Sequence, residues 1–342
     1  SMIESIYQNK SYWKDFDAEE LDNYANNILS YYRKQGFPFF STSIDYRDNE
    51  FRKFFVYDCS NIIKDKNIKQ TMHGLGLAWS YMPHSFSVIC NNMKTPMQVF
   101  EDDILFLKAI EKRLKIGTYI TDSGIRKILK SYSGVQTVSN FRPTSAVAIY
   151  DMFSGSGKVL DMSSGYGGRL LGAIKSKRVM SYTGLEPCLE THTGLNNLIR
   201  DFNNNYDMFS QNKKIVIHME GSENFVEKNN FDLCFTSPPY FNLEKYSEEK
   251  TQSYLKYPDV ESWYDGFLKS TIQNSHQNLK KDGYMILNIK DTKGLPNFVE
   301  RTKNYAIEFG FILTDVFYLE LSKQTFAKNT ANNEPLLVFK KI

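Results

Sequence analysis

The spacing of apolar positions changes character near residue 138. Ahead of it, Leu21, Tyr24, Ala25, Ile28 and Tyr32 recur at helical spacing behind a possible capping box at Asp17 and Glu20, and Gly36 ends the run before Pro38. Ile104, Leu107, Ile110 and Leu114 mark a second amphipathic helix over 103–115, and the polar-aromatic stretch 39–96 between the two carries no period. Beyond 138, short apolar runs at 159–162, 182–185, 214–219, 231–236 and 284–289 read as buried strands. Helical runs separate them, including 168–175, 190–202 and 262–279. Two further strands, 312–321 and 336–340, follow with no helix-length segment between them. The pattern predicts a mainly helical N-terminal domain at 1–137, a candidate for target recognition. An α/β domain with a mostly parallel, Rossmann-like sheet follows at 138–342. A dehydrogenase-type dinucleotide fold would continue in parallel strands where this chain ends in a hairpin.

Composition narrows this little. The 342 residues are 41% hydrophobic and 24% charged, as in an ordinary globular protein, and a net charge of +3 permits nucleic-acid binding without arguing for it. Twenty-two Tyr and 25 Phe suit base stacking, and a Tyr- and Phe-rich core accounts for them equally well. Cys59, Cys90, Cys188 and Cys234 form no CxxC pair, and the five histidines show no metal spacing, so no metal site is expected. Cys234 falls inside a predicted strand as a small hydrophobe. No signal peptide and no apolar run of membrane-spanning length is present, which points to a cytoplasmic protein without a membrane partner. Ser1 ahead of Met2 reads as a tag scar.

Chemistry concentrates at the ends of the predicted strands. Val159-Leu-Asp-Met-Ser-Ser-Gly-Tyr-Gly-Gly168 runs from a strand through a glycine turn into a helix, so backbone can approach a ligand where a Cβ would block it. A tight βα connection would use the same glycines, and the acidic Asp161 at the strand end is what sharpens the reading. About twenty residues on, Tyr182-Thr-Gly-Leu-Glu-Pro187 closes the next strand with Glu186, where a ribose diol would be held. Ser222, with Glu223 second, follows the third strand at the place for an adenine ring. Ser154-Gly-Ser-Gly-Lys158 lacks phosphate-loop spacing and precedes a strand, so its lysine is not at a helix N-terminus. No Pro-Cys motif follows the fourth strand, which argues against covalent attack on a ring carbon.

The fourth strand ends in Thr236-Ser-Pro-Pro-Tyr240. Two prolines stiffen a turn and donate no N–H, leaving the Ser237 hydroxyl and the Pro238 carbonyl free to accept protons from a ligand. The long segment 242–259 interleaves Tyr246, Tyr254 and Tyr257 with Lys245, Lys250 and Lys256, as a strand-gripping lid or a plain surface loop would. The basic residues Arg47, Arg52, Lys53, Lys64, Lys66, Lys69, Lys112, Arg113 and Lys115 are candidates for phosphate contacts or for solvated faces.

Taken in order, DMSSGYGG, GLEP and TSPPYF resemble the S-adenosylmethionine-dependent methyltransferases that act on adenine N6 or cytosine N4 in DNA, over roughly residues 138–342. The look of the whole chain is also similar to methyltransferase-like proteins of phages and large viruses. The resemblance implies a seven-stranded methyltransferase sheet and S-adenosylmethionine as cofactor. Asp161 would face the methionine ammonium, and Ser163, Gly165, Gly167, Glu186 and Ser222 would line the pocket with Phe141 and Pro143 of Asn140-Phe-Arg-Pro143. Ser237, Pro238, Pro239 and Tyr240 would form the catalytic tetrad, Tyr240 stacking on an extruded base. The Ser form of the tetrad points to cytosine N4, with adenine N6 next. The cofactor motif precedes the catalytic one, the reverse of the common order in Ser-type cytosine enzymes, and no target-recognition domain follows the last strand. DNA is the expected polymer; an RNA base methyltransferase and an inactive nucleic-acid-binding subunit are the alternatives.

Overall fold

Strands β1 (Ile63–Lys64), β2 (Asn67–Ile68), β4 (Lys158–Asp161), β5 (Ser181–Leu185), β6 (Lys214–His218), β7 (Phe231–Thr236), β9 (Leu279–Asn288), β10 (Phe311–Leu319) and β11 (Glu334–Lys341) form one sheet. In the computed structural model, residues 16–116, 119–206, 212–238, 244–245, 257–292, 294–320 and 333–342 are described, with 244–245 as backbone only. The sheet order is β1-β2-β10-β11-β9-β7-β4-β5-β6. Neighbours from β6 to β9 run parallel, and β11 lies antiparallel between β9 and β10. All seven strands expected from the sequence are present, in the order of a Rossmann-like methyltransferase sheet closed by a hairpin. β1 and β2 extend it to nine, with β2 pairing parallel to the outer edge of β10.

From β4 the chain winds outward through β5 to β6, then returns to place β7 on the other side of β4. That reversal leaves a crevice at the carboxyl ends of β4 and β7, where open α/β sheets take ligands. The two strands are buried on both faces: Val159, Leu160, Leu233, Cys234 and Phe235 are fully covered. Cys234 is thus the core residue expected of it.

The chain divides into two compact units, one of residues 1–41, 83–139 and 243–245, the other of 42–82, 140–242 and 246–342. Residues 42–82 therefore fold with the sheet, although the sequence reading grouped them with the N-terminal domain. Their main element is a helix, Ile44–Val56, in the stretch read as irregular. It buries Phe51 and Phe54, and the Phe51 ring lies 4.2 Å from that of Tyr206.

Unit 1 is built from helices Ala18–Gln35, Pro96–Glu101, Asp103–Lys115 and Asp122–Lys130 around Ala25, Ile28, Phe106, Ile110 and Leu129. Both arms of the Asp17/Glu20 capping box form. A short ribbon pairs β3 (Ile89–Cys90) with β8 (Glu244–Lys245).

The helix expected over 262–279 is broken. Val260–Trp263 and Lys269–Asn278 flank a π-helical turn at Tyr264–Leu268, and residue 279 already belongs to β9. Gly266 explains part of this: the Tyr257 ring fills the space where its Cβ would stand, 2.3 Å from Cε1, and the Tyr257 hydroxyl donates to the Gly266 carbonyl at 3.1 Å.

Candidate active site

The turn after β4 requires glycine at three positions. Gly165 and Gly167 take φ of +60° and +93°, which side chains disfavour. At Gly168 a Cβ would stand 1.8 Å from the Phe141 carbonyl oxygen, a contact nothing but glycine allows. The segment 140–143 is what presses against the turn. Asn140 donates from Nδ2 to the Tyr166 carbonyl at 3.1 Å and accepts the Gly168 N–H at 3.0 Å. The Phe141 ring meets Phe235 edge-on at 5.2 Å, and Pro143 opens the helix Pro143–Phe153 as its first residue. Phe141 and Pro143 are thus brought to the turn as expected, and Asn140 is the member the sequence reading passed over.

Asp161, expected to face a ligand's ammonium, directs both oxygens to the chain itself. It is fully buried. Oδ2 accepts from Arg169 Nε at 2.9 Å and from the Tyr182 hydroxyl at 2.7 Å, while Oδ1 accepts the Ser163 N–H at 3.2 Å. The single Tyr182 proton goes to Asp161, so Ser164 Oγ, 2.8 Å away, donates to Tyr182. Burial pushes the Tyr182 phenol well above its ordinary range, and the Asp161 charge adds to it. Burial works against the Arg169 charge, but Asp161 and Tyr182 outweigh it and hold the guanidinium above its usual value. Arg169 also donates from Nη2 to the Ser163 carbonyl. This buried network braces the turn from below. Arg169 gave no signal in sequence, since an arginine one residue into a helix ordinarily reads as solvent-facing.

Glu186 joins the second motif to the first. Its Oε1 accepts the Gly165 N–H at 3.2 Å, and Oε2 accepts the Cys188 N–H at 3.0 Å. Its own N–H bonds the His218 carbonyl at 2.9 Å, tying the ends of β5 and β6 together. Burial pushes its carboxyl up to about 7, against the two N–H bonds; Asp161 adds to the rise and Arg169 opposes it. A buried carboxylate beside a glycine turn, bonded to backbone N–H groups, has acceptor capacity left for a diol. The residues present fit the nucleoside of S-adenosylmethionine at this place.

Ser222 is different. Its buried hydroxyl shares a 2.9 Å hydrogen bond with Thr271, so it faces the helix Lys269–Asn278. Asn274 Nδ2 fixes the Ser222 and Glu223 carbonyls at 3.3 and 2.7 Å. Backbone at 222–223 is therefore held firmly, while the Ser222 side chain serves packing.

β7 leads into the corner at Ser237 and Pro238. Thr236 Oγ1 donates to the Ser163 carbonyl at 3.3 Å, the same carbonyl that Arg169 holds. Ser163 thus links the glycine turn to the strand end that leads into half-buried Ser237 and buried Pro238. Pro239 and Tyr240 lie outside the described residues, as do Tyr246, Lys250, Tyr254 and Lys256. The Ser154–Lys158 turn is at the opposite end of the strands, where Ser156 Oγ and the Lys158 N–H bond Asp232 at 2.8 and 2.9 Å. Of the basic candidates, Arg47 bonds Ser80 and Asp201, Arg52 pairs with Asp48, and Lys66 with Asp315. Among the described residues no cluster of three His, Cys, Asp or Glu could hold a metal, and no helix is long and apolar enough to cross a membrane.

A search of curated proteins by sequence finds no match. Among solved structures the chain is similar to a methyltransferase from Pyrococcus furiosus, at 16% identity over 63% of this chain and 93% of that one, TM-score 0.40. It is likewise similar to a SAM-dependent O-methyltransferase from Thermotoga maritima (12%, 60% and 67%, 0.39) and to the N-methyltransferase NodS from Bradyrhizobium japonicum (10%, 57% and 93%, 0.39). The family model described as DNA methylase, of the N6/N4 methyltransferase type, matches residues 231–342, from the catalytic strand through the closing hairpin. Residues 231–342 are thus similar to the N6/N4 DNA methylases, with the glycine turn bound to Glu186 ahead of them, a likeness that supports S-adenosylmethionine as cofactor.

Proposed function

We propose that the protein methylates an exocyclic base amine in DNA, cytosine N4 first and adenine N6 next, by direct transfer to a base drawn out of the duplex. The observation that carries this reading is the Ser163 carbonyl, which Thr236 and Arg169 both bind, so that one atom fixes the glycine turn and the Ser237-Pro238 corner to each other. S-adenosylmethionine bound at the turn supplies the methyl group. Gly165, Gly167, Glu186, Phe141 and Pro143 are the residues assigned to hold it, with Ser163 and Asp161 shaping the turn and backbone at Ser222 beside the adenine. Ser237 Oγ and the Pro238 carbonyl accept the two amine hydrogens. A base amine is a poor nucleophile while its lone pair is delocalised into the ring, and two acceptors favour the pyramidal form that presents it. The nitrogen that gains the methyl gives up one proton to solvent, with the Ser237 hydroxyl as relay, and S-adenosylhomocysteine is the other product. Pro239 keeps the corner stiff, and Tyr240 stacks on the extruded base.

The test is transfer of a tritiated methyl group to DNA and RNA in competition, followed by nucleoside mass spectrometry. Methylated cytosine or adenine in the DNA fraction is expected. Label in RNA alone would turn the polymer assignment, and no transfer with no S-adenosylmethionine bound would leave a binding subunit.

Glu186 gives the reading a pH signature. Its carboxyl is raised to about 7 in the cofactor-free protein, and the ionised form is the better acceptor for a diol. Affinity for S-adenosylhomocysteine should therefore rise by up to roughly tenfold from pH 6 to pH 8 as the proton leaves. Stability of the free protein should move the opposite way. With the folded value above the unfolded one, the contribution is full below the unfolded value of 4.5 and is lost as pH rises through 7. Calorimetry with Glu186→Gln should show both slopes flattened; an unchanged binding slope would remove Glu186 from the diol.

A further inference from the structure

We infer that unit 1 carries a docking face for a DNA strand, formed by Phe39 and Phe40 with Arg126, Lys127 and Lys130. The inference rests on the nucleic-acid reading above and gives that substrate a second place on the chain. Phe39 leaves 42% of its surface exposed although its ring packs 4.7 Å from Phe37. Half-buried Phe40 stacks on the buried Phe86 at 6.4 Å and 16°, so Phe86 backs the face from within. The Arg126 guanidinium lies 3.9 Å from the Phe40 ring centroid and donates to the Pro38 carbonyl at 2.9 Å. One helical turn on, Lys130 Nζ stands 5.2 Å from the Phe86 ring centroid. Lys127, between them on the helix Asp122–Lys130, is exposed.

Aromatic faces with cations laid against them are the surface that unpaired bases and their phosphates bind, because any base can stack and each phosphate meets a positive group. Charge complementarity selects this occupant. The three segments that make the face, 33–41, 83–100 and 123–139, contain Lys34, Lys94, Arg126, Lys127 and Lys130, besides Arg33 in its ion pair, and no Asp or Glu. Segments 83–100 and 123–139 are held together by the Lys94 N–H on the Gly134 carbonyl at 3.1 Å and by Asn91 on Gln136 at 2.6 Å, and Arg126 ties 33–41 to them through the Pro38 carbonyl. Of the carboxylates that flank these segments, Asp122 accepts the Tyr32 hydroxyl, Asp102 caps the helix Asp103–Lys115 and Asp103 pairs with Arg33, while Glu101 is exposed. In the same unit the backbone of β8 pairs with β3, three residues after Phe86.

The experiment is fluorescence anisotropy of a labelled single-stranded DNA, and of an RNA of the same sequence, with the full chain across a salt series, beside calorimetry with S-adenosylhomocysteine. Phe39→Ala should weaken DNA binding about tenfold. Lys127→Glu with Lys130→Glu should weaken it further and lower the salt slope by about two, and neither variant should change S-adenosylhomocysteine affinity. Lys127 is exposed, so Lys127→Glu alone keeps the question answerable if the double variant folds poorly. Variants that bind DNA like the parent protein, or that lose RNA affinity while keeping DNA affinity, overturn the face. A parent protein that neither binds nor methylates DNA overturns the functional reading itself, whereas methylation by the parent with unaffected variants removes the face alone.

Discussion

Ser237→Ala is expected to slow methyl transfer roughly a hundred- to a thousandfold while S-adenosylhomocysteine affinity stays within about twofold of the parent value. The split follows from where Ser237 stands. Glu186 and the glycine turn belong to β4, β5 and their connections, and their hydrogen bonds do not pass through Ser237. Thr236, one residue earlier, carries the bond to the Ser163 carbonyl that fixes the strand end, so the corner keeps its place without the Ser237 hydroxyl. What disappears is one acceptor for the amine, whose effect is realised as the nitrogen pyramidalises and hence in turnover. Ser237 is only half-buried, so the substitution leaves no large cavity. Single-turnover kinetics with saturating cofactor would measure the loss. A variant that methylates DNA at the parent rate would remove Ser237 from the chemistry.

Much of this site could be read from the chain because its parts are local. A strand, a glycine turn and a helix are contiguous, and positive φ at Gly165 and Gly167 is a requirement that sequence advertises. Glu186 closes a strand at the expected interval, and parallel pairing of β4 with β5 brings it to Gly165 without further instruction. What could not be read depends on distant partners. Ser222 looks like a pocket residue until Thr271, forty-nine positions later, takes its hydroxyl. β1 and β2 are two residues each, too short to show a period, and they add to the sheet through backbone bonds at an edge. In the helix Ile44–Val56 the apolar pattern misleads outright: Ile44 and Val56 are 84% and 79% exposed, while burial falls on Phe51 and Phe54. The clue present there was Ser43, whose side chain accepts the Tyr46 N–H as an N-cap.

Arg169→Met should cost about 3–5 kcal/mol of stability, because it strands Asp161 as a buried charge with its cation gone. Tyr182 and the Ser163 N–H would remain on the carboxylate, but neither carries charge. For the sheet-bearing unit this corresponds to a fall in Tm of roughly 10 °C. Adding Asp161→Asn to the same chain should return a large part of the loss, since both charges are then absent and the amide can still accept from Tyr182. Turnover should behave differently. The Ser163 carbonyl loses its guanidinium donor in the single and the double variant alike and keeps only the 3.3 Å bond from Thr236. Restored stability with turnover still depressed is therefore the result that assigns Arg169 a positioning role beyond holding the fold. Stability that does not fall in Arg169→Met would mean that the pair does not bear on folding, and turnover that recovers in step with stability would reduce Arg169 to a structural residue. Urea unfolding and single-turnover transfer on the same three proteins separate these outcomes, because the carbonyl and the carboxylate answer to the one side chain in two measurable ways.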